Sequence, residues 1–295
     1  MGRDDMRVPD VFIPPTLIVI GLGLLASLGW GVADFGGGIT SRRATVLSVL
    51  LWSQVASLLI ALPIALARTE PAMQPSDVVI SIGGGALGSS GLALLYRGLS
   101  VGRMGVVAPV AAVLTAVLPV VFGFITQGVP SILAIGGIGL AIASVILVSR
   151  SPASADGRPS GLWYGIGAGT VFGLFTIAVS LLGDGLIMSP VVLIRTASIV
   201  AIAGWLITHR QPWRVGRSLW PARVFVGVLD MAATVAYLSA IEIGPLAIAA
   251  ILASLYPVVT TLLAAVVLRE RVTPIHAVGI LAAGAAVVLI GATAA

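Results

Sequence analysis

Most charged residues in this chain fall in short segments separating apolar runs of about 20 residues, the length at which an α-helix crosses ~30 Å of hydrocarbon. Ten such runs are read at 16–37, 46–67, 78–98, 104–126, 131–149, 161–182, 190–208, 224–243, 246–268 and 275–292. The expectation is an all-α membrane protein of ten transmembrane helices. Breaks fall at turn or charge signals such as Ser41-Arg42-Arg43, Arg68-Thr69-Glu70-Pro71, Gly128-Val129-Pro130 and Gly244-Pro245.

Composition agrees. Only 9% of residues are charged and 58% are hydrophobic, against roughly 25% charged in a soluble domain, so this chain could not present a solvated surface. The net charge of +5 raises the question of nucleic acid, but the arginines are scattered singly or in pairs, with no basic stripe for a phosphate backbone to follow. Every basic residue is arginine, which excludes the lysine of a phosphate loop and any Schiff-base lysine. There is no cysteine, hence no disulfide or thiolate metal site. His209 and His276 are 67 positions apart and have no metal-ligand spacing. No cofactor is expected. The first run is too long for a signal peptide, and Gly36-Gly37-Gly38 before Arg42-Arg43 reads as a helix end rather than a cleavage site. No soluble domain is expected at either end.

The polar linker 151–160 nearly bisects the chain and suggests two repeats, 1–150 and 161–295. Shifting the second half by 141 to 142 positions sets Trp30-Gly31 on Phe172-Gly173, Ser89 on Asp230, and Tyr96 on Tyr237. Two more residues of shift set Pro130 on Pro274. A five-helix repeat has an odd number of crossings, so its copies enter the membrane from opposite sides. Inverted repeats of this kind characterise secondary transporters, with the substrate near the midplane between the halves.

Arginine position sets the expected orientation. The loops 1–2, 3–4, 5–6, 7–8 and 9–10, with adjoining helix ends, carry Arg42, Arg43, Arg97, Arg103, Arg150, Arg158, Arg210, Arg214, Arg217, Arg223, Arg269 and Arg271. The opposite side carries Arg3, Arg7 and Arg68. Both termini are therefore expected outside, with the chain in a plasma membrane or bacterial inner membrane.

Polar groups in hydrocarbon are expensive and are functional candidates by default. Asp230, Thr234 and Tyr237 share one helical face at i, i+4, i+7, and Ser89 and Tyr96 repeat the i, i+7 spacing in the first half. Trp30 and Asp34 are i, i+4 on the first helix, and Tyr256 precedes Pro257 on the ninth. These eight residues are the candidate substrate contacts. Each also has a structural reading. Asp230 could pair with Arg223 or another helix, Asp34 could reach the interface, and the aromatics could be packing or belt residues. Arg195 could snorkel to the headgroups or meet a carboxylate, in the protein or on a substrate. Trp163 and Tyr164 fit the aromatic belt.

Pro109, Pro119 and Pro257 fall inside helices and suggest kinks or broken segments that bend during alternating access, with kinks that play no part in gating as an equally simple account. Gly83-x-Gly85-x-x-Gly88 matches a dinucleotide fingerprint, but it lies in an apolar span with no preceding strand. Gly84-x-x-x-Gly88 and Gly165-x-x-x-Gly169 read as close helix approaches.

Leu268-Arg269-Glu270-Arg271-Val272-Thr273-Pro274, a short apolar run after Tyr256-Pro257, resembles the signature of EamA-type proteins of the drug/metabolite transporter superfamily. Ala236-Tyr237-Leu238-Ser239-Ala240-Ile241 resembles that family's eighth helix. The resemblance covers nearly the whole chain as two five-helix repeats. In the first half Thr126-Gln127-Gly128 stands where a Glu-Arg pair would be expected, so Glu270 is read as a structural element of its loop. The resemblance implies secondary transport of small metabolites, commonly amino acids and often outward, and is nearest to exporters of amino acids, including aromatic ones. Small four-helix members of the superfamily exchange protons at an acidic residue deep in their first helix. Asp34 lies nearer the helix end, so that role is not carried over.

The sequence thus points to a transporter, not an enzyme, with a small-molecule substrate and the lipid bilayer as its partners and no nucleic acid. Ten helices can enclose a pathway within one chain, so a monomer is expected. The runner-up substrate class is cationic or hydrophobic drugs, which would demand acidic and aromatic residues around the cavity. An intramembrane transferase would need clustered carboxylates to hold a metal or diphosphate, and a channel a continuous polar pore. Neither accounts for the repeat.

Overall fold

The structure is a computed structural model that describes residues 15–127, 132–149, 159–213, 216–243, 252–253, 255–270 and 273–291. Among the described residues ten α-helices have these bounds: α1 Pro15–Thr40, α2 Val46–Ala67, α3 Pro75–Val101, α4 Met104–Gln127, α5 Ile132–Ser149, α6 Leu162–Val179, α7 Met188–Thr208, α8 Trp220–Ile243, α9 Tyr256–Val267 and α10 Pro274–Gly291. There is no strand among the described residues. Six helices meet both the length and the apolarity needed to span a bilayer: α1, α2, α3, α6, α7 and α8. The others contain shorter apolar stretches, among them Met104–Thr115 in α4 and Ile135–Ser144 in α5. The sequence expectations at Arg3, Arg7, Arg150, Arg158, Arg214, Arg271, Pro130 and Gly244-Pro245 lie outside the described residues.

Large apolar side chains point outward along these helices, among them Leu25, Leu59, Leu66, Ile135, Ile207 and Leu281. An exterior of this kind suits lipid and would be costly in water. The interior holds smaller groups. Gly165 and Gly169 bring α6 against α4, where an added Cβ would sit 2.9 Å from the Val107 carbonyl and 2.5 Å from the Ala111 carbonyl. That is the close backbone approach expected of their spacing. Gly84 and Gly88 face Phe175 more loosely, at 3.5 and 3.7 Å.

The helices interlock across the two halves. α1 packs on α8 and α9, α6 on α3 and α4, α2 on α8, and α7 on α3. α2 also meets α7, α4 meets α9, and α5 meets α10. Exchanging each helix of the first five with its counterpart five later maps these contacts onto one another. The two halves run in opposite directions. The turn after α1 and the start of α4 both approach Glu270, between α9 and α10, and the Arg103 N–H donates to the Ser160 carbonyl just before α6 (3.4 Å). α1 therefore ends on the face where α6 begins.

Two sets of polar contacts mark the two faces. On the first, the backbone N–H groups of Met104 and Gly105 approach Glu270 at 3.4 and 3.5 Å, and Arg42 lies 4.0 Å away. The carboxylate thus covers the positive end of α4, the loop role expected of Glu270. Trp52 on this face packs on Trp220 and donates to the Trp213 carbonyl (3.2 Å). The exposed Trp163 lies nearby at the start of α6, in keeping with an aromatic belt. On the second face Glu70 accepts from the backbone N–H groups of Met188 and Ser189 at 2.8 and 2.9 Å, covering the start of α7. Asp77 completes a capping box at the start of α3 and also accepts from the Gly183 N–H (3.1 Å). Arg68 pairs with Glu242 at the end of α8.

Candidate functional site

α1, α2, α3, α4, α6, α7, α8 and α9 surround a cavity of about 350 Å³. Leu92, Leu95, Phe172, Phe175, Val191 and Ile194 make most of its wall apolar. Thr176 and Val191 lie within a turn of the helix ends on the second face, whereas Asp34 and Leu95 stop well short of the ends on the first. The cavity is therefore displaced toward the face carrying Glu70.

Its polar part is built around α8. Asp230 sits in mid-helix, so its own backbone groups are already bonded and only side chains can satisfy its carboxylate. Arg195 of α7 does so, with one guanidinium nitrogen donating to Asp230 Oδ2 at 2.7 Å and the other to Gln54 Oε1 of α2 at 2.6 Å. The Ser57 hydroxyl reaches Asp230 Oδ2 at 3.3 Å and the Gly227 carbonyl at 3.0 Å. Three helices are thus joined by one charge pair, whose side chains remain 12% and 21% exposed for Arg195 and Asp230.

Asp34 also lines the cavity, is 92% buried, and has no hydrogen bond or ion pair among the described residues. Trp30 stands one turn before it, with its ring 5.5 Å from that of Tyr237. Tyr256 adds a further aromatic wall. Where α1 meets α9, the Thr260 hydroxyl lies 3.1 Å from both the Gly31 and Tyr256 carbonyls.

Of the eight candidates, Trp30, Asp34, Asp230, Thr234, Tyr237 and Tyr256 line this one cavity. Thr234 turns its hydroxyl back to the Asp230 carbonyl (2.8 Å). Ser89 and Tyr96 are not among the lining residues. The Ser89 hydroxyl donates within its own helix, to the Gly85 carbonyl at 2.7 Å. Tyr96 is 2% exposed, its ring against Gly37 where only a missing side chain leaves room.

Pro109 and Pro257 face each other across a small separate cleft with Ala112 and Ile280. Pro109 and Pro119 lie within α4, as expected. Pro257 differs, because α9 begins at Tyr256 and places it in the first turn. There its missing N–H has no helical acceptor to lose, so it opens the helix rather than bending it.

The sequence did not single out Gln54, Thr115, Ser198, Phe172 or Phe175 as contacts. Gln54 had a signal, being an amide in the middle of an apolar span. Phe172 had another, since the repeat aligns it with Trp30, and both line the cavity. Arg195 was left between two readings, and the structure pairs it with a carboxylate of the protein.

Comparison with known proteins bears on the second half of the chain. Residues 159–292 match the EamA-like transporter family. No curated protein matches the chain. A solved structure described only as the crystal structure of a protein is 17% identical and superposes with a TM-score of 0.62. The match covers 94% of this chain and 99% of that one, and it speaks for the fold alone.

Proposed function

We propose that this chain is a secondary transporter, EamA-like through both halves, that moves small organic metabolites by alternating access through the cavity between them. Amino acids are the favoured substrates and export the favoured direction. The observation that carries this reading is the pairing of an apolar, aromatic wall with two carboxylates and one guanidinium in a chamber of about 350 Å³. Such a chamber suits a solute with a charged end and an apolar body. The interlocked halves and the displacement of the cavity toward the second face fit a state open toward that face. The arginine-rich face would be cytoplasmic, both termini outside, and one chain would suffice.

A second reading has its own support. Asp34, Asp230, Trp30, Phe172, Phe175, Tyr237 and Tyr256 all line the chamber, the acidic and aromatic set a carrier of drug-like cations would need.

Flux into liposomes decides between them. Purified protein would be offered labelled amino acids and lipophilic amines, with and without an imposed pH gradient. Saturable amino-acid flux supports the first reading. Amine flux without amino-acid flux replaces it with the second. Asp34→Asn is expected to lower flux at least tenfold while leaving the protein folded, because Asp34 has no ion pair to break. Asp230→Asn, run in parallel, reports whether that carboxylate couples transport to protons.

A further inference from the structure

Arg195 enters the cavity from α7 with its guanidinium already held at two points, by Gln54 and by Asp230. A guanidinium offers five N–H donors in a rigid plane. Two are used here, and the side chain lines the chamber and stays 12% exposed. Asp34 supplies the opposite charge from α1, beside Trp30, Tyr237 and Tyr256. Both residues line the one chamber.

We propose that Arg195 is the carboxylate-reading residue of the cavity and Asp34 its ammonium-reading residue, so that the site selects zwitterionic amino acids with an apolar side chain. This rests on the transport reading above. The ammonium group takes Asp34, with the rings of Trp30, Tyr237 and Tyr256 contributing cation–π attraction. The carboxylate accepts charge-assisted hydrogen bonds from the Arg195 donors not taken by Gln54 and Asp230. Gln54 and Asp230 are positioning residues. They fix the plane and lower the side-chain entropy lost on binding. The side chain lies along Leu92, Phe172 and Ile194. An amine without a carboxylate leaves the Arg195 donors unanswered, and an acid without an ammonium leaves Asp34 a bare charge in a low-dielectric wall.

The test compares binding of phenylalanine and phenethylamine, which differ by the carboxylate, to purified protein. Wild type is expected to favour phenylalanine. Arg195→Gln would orphan Asp230, so the double variant Arg195→Gln/Asp230→Asn, with neither charge, is measured beside it. Both are expected to lose phenylalanine affinity about 10- to 100-fold, the scale of a charge-assisted hydrogen bond, while phenethylamine affinity stays within about threefold. If folded variants lose both ligands equally, or keep the preference for phenylalanine, the assignment of Arg195 is overturned while amino-acid transport stands. If wild type binds phenethylamine alone, or neither ligand, the amino-acid reading falls and the inference with it.

Discussion

Arg195 and Asp230 lie 35 positions apart on consecutive helices and meet at 2.7 Å inside the cavity. Removing one member of a mostly buried pair leaves the other charge without compensation, whereas removing both leaves none. Arg195→Gln and Asp230→Asn are therefore each expected to destabilise the protein by about 2–4 kcal/mol, and the double variant by clearly less than their sum. Thermal unfolding in detergent, analysed as a double-mutant cycle, measures this. Additive losses would mean that the pair contributes no coupling.

The approach of α6 to α4 makes a sharper demand. A Cβ on Gly169 would lie 2.5 Å from the Ala111 carbonyl, and backbone cannot give way as a flexible side chain can. A Cβ on Gly84 would meet Ile194 Cγ1 at 3.5 Å, an ordinary contact. Gly169→Ala should destabilise by roughly 1–3 kcal/mol, the usual penalty of overpacking, while Gly84→Ala should be neutral or slightly stabilising. Comparing the two melting temperatures tests whether approach distance, rather than glycine itself, is what the interface requires.

Glu70 lies in the loop between α2 and α3. Burial alone would push its carboxyl up, but the N–H groups of Met188 and Ser189 outweigh that and hold it below its ordinary 4.5. The folded protein therefore gives up this proton more readily than the unfolded chain does. The resulting stabilisation is full above about pH 4.5 and is lost as pH falls through the lower folded value. Glu70→Gln should lower the melting temperature at pH 7 and flatten its dependence on acid below pH 5. A variant as acid-sensitive as wild type would place the acid response elsewhere.

The helices seen among the described residues and most of their limits were legible in the sequence because lipid imposes one rule on every span, an apolar run of fixed length. Trp30 and Phe172, aligned by the expected repeat, also stand together in the cavity wall. Tyr96 shows the limit. Its spacing from Ser89 copies that of Tyr237 from Asp230, yet Gly37 opposite leaves a hollow that its ring fills, so it turns into packing while Tyr237 faces the chamber.

The sequence by itself determined the solvent, the secondary structure and the set of costly polar groups, since each follows from local composition set against the energetics of hydrocarbon. Only the tertiary structure decided which of those groups meet. Arg195 could have turned to the headgroups or to a carboxylate, and only the packing of α2, α7 and α8 brings Gln54 and Asp230 within hydrogen-bond reach of it. Asp34 had a possible partner on every neighbouring helix, and among the described residues that packing gives it none. Helix rotation and crossing set these distances, and they arise from contacts between residues far apart in the chain.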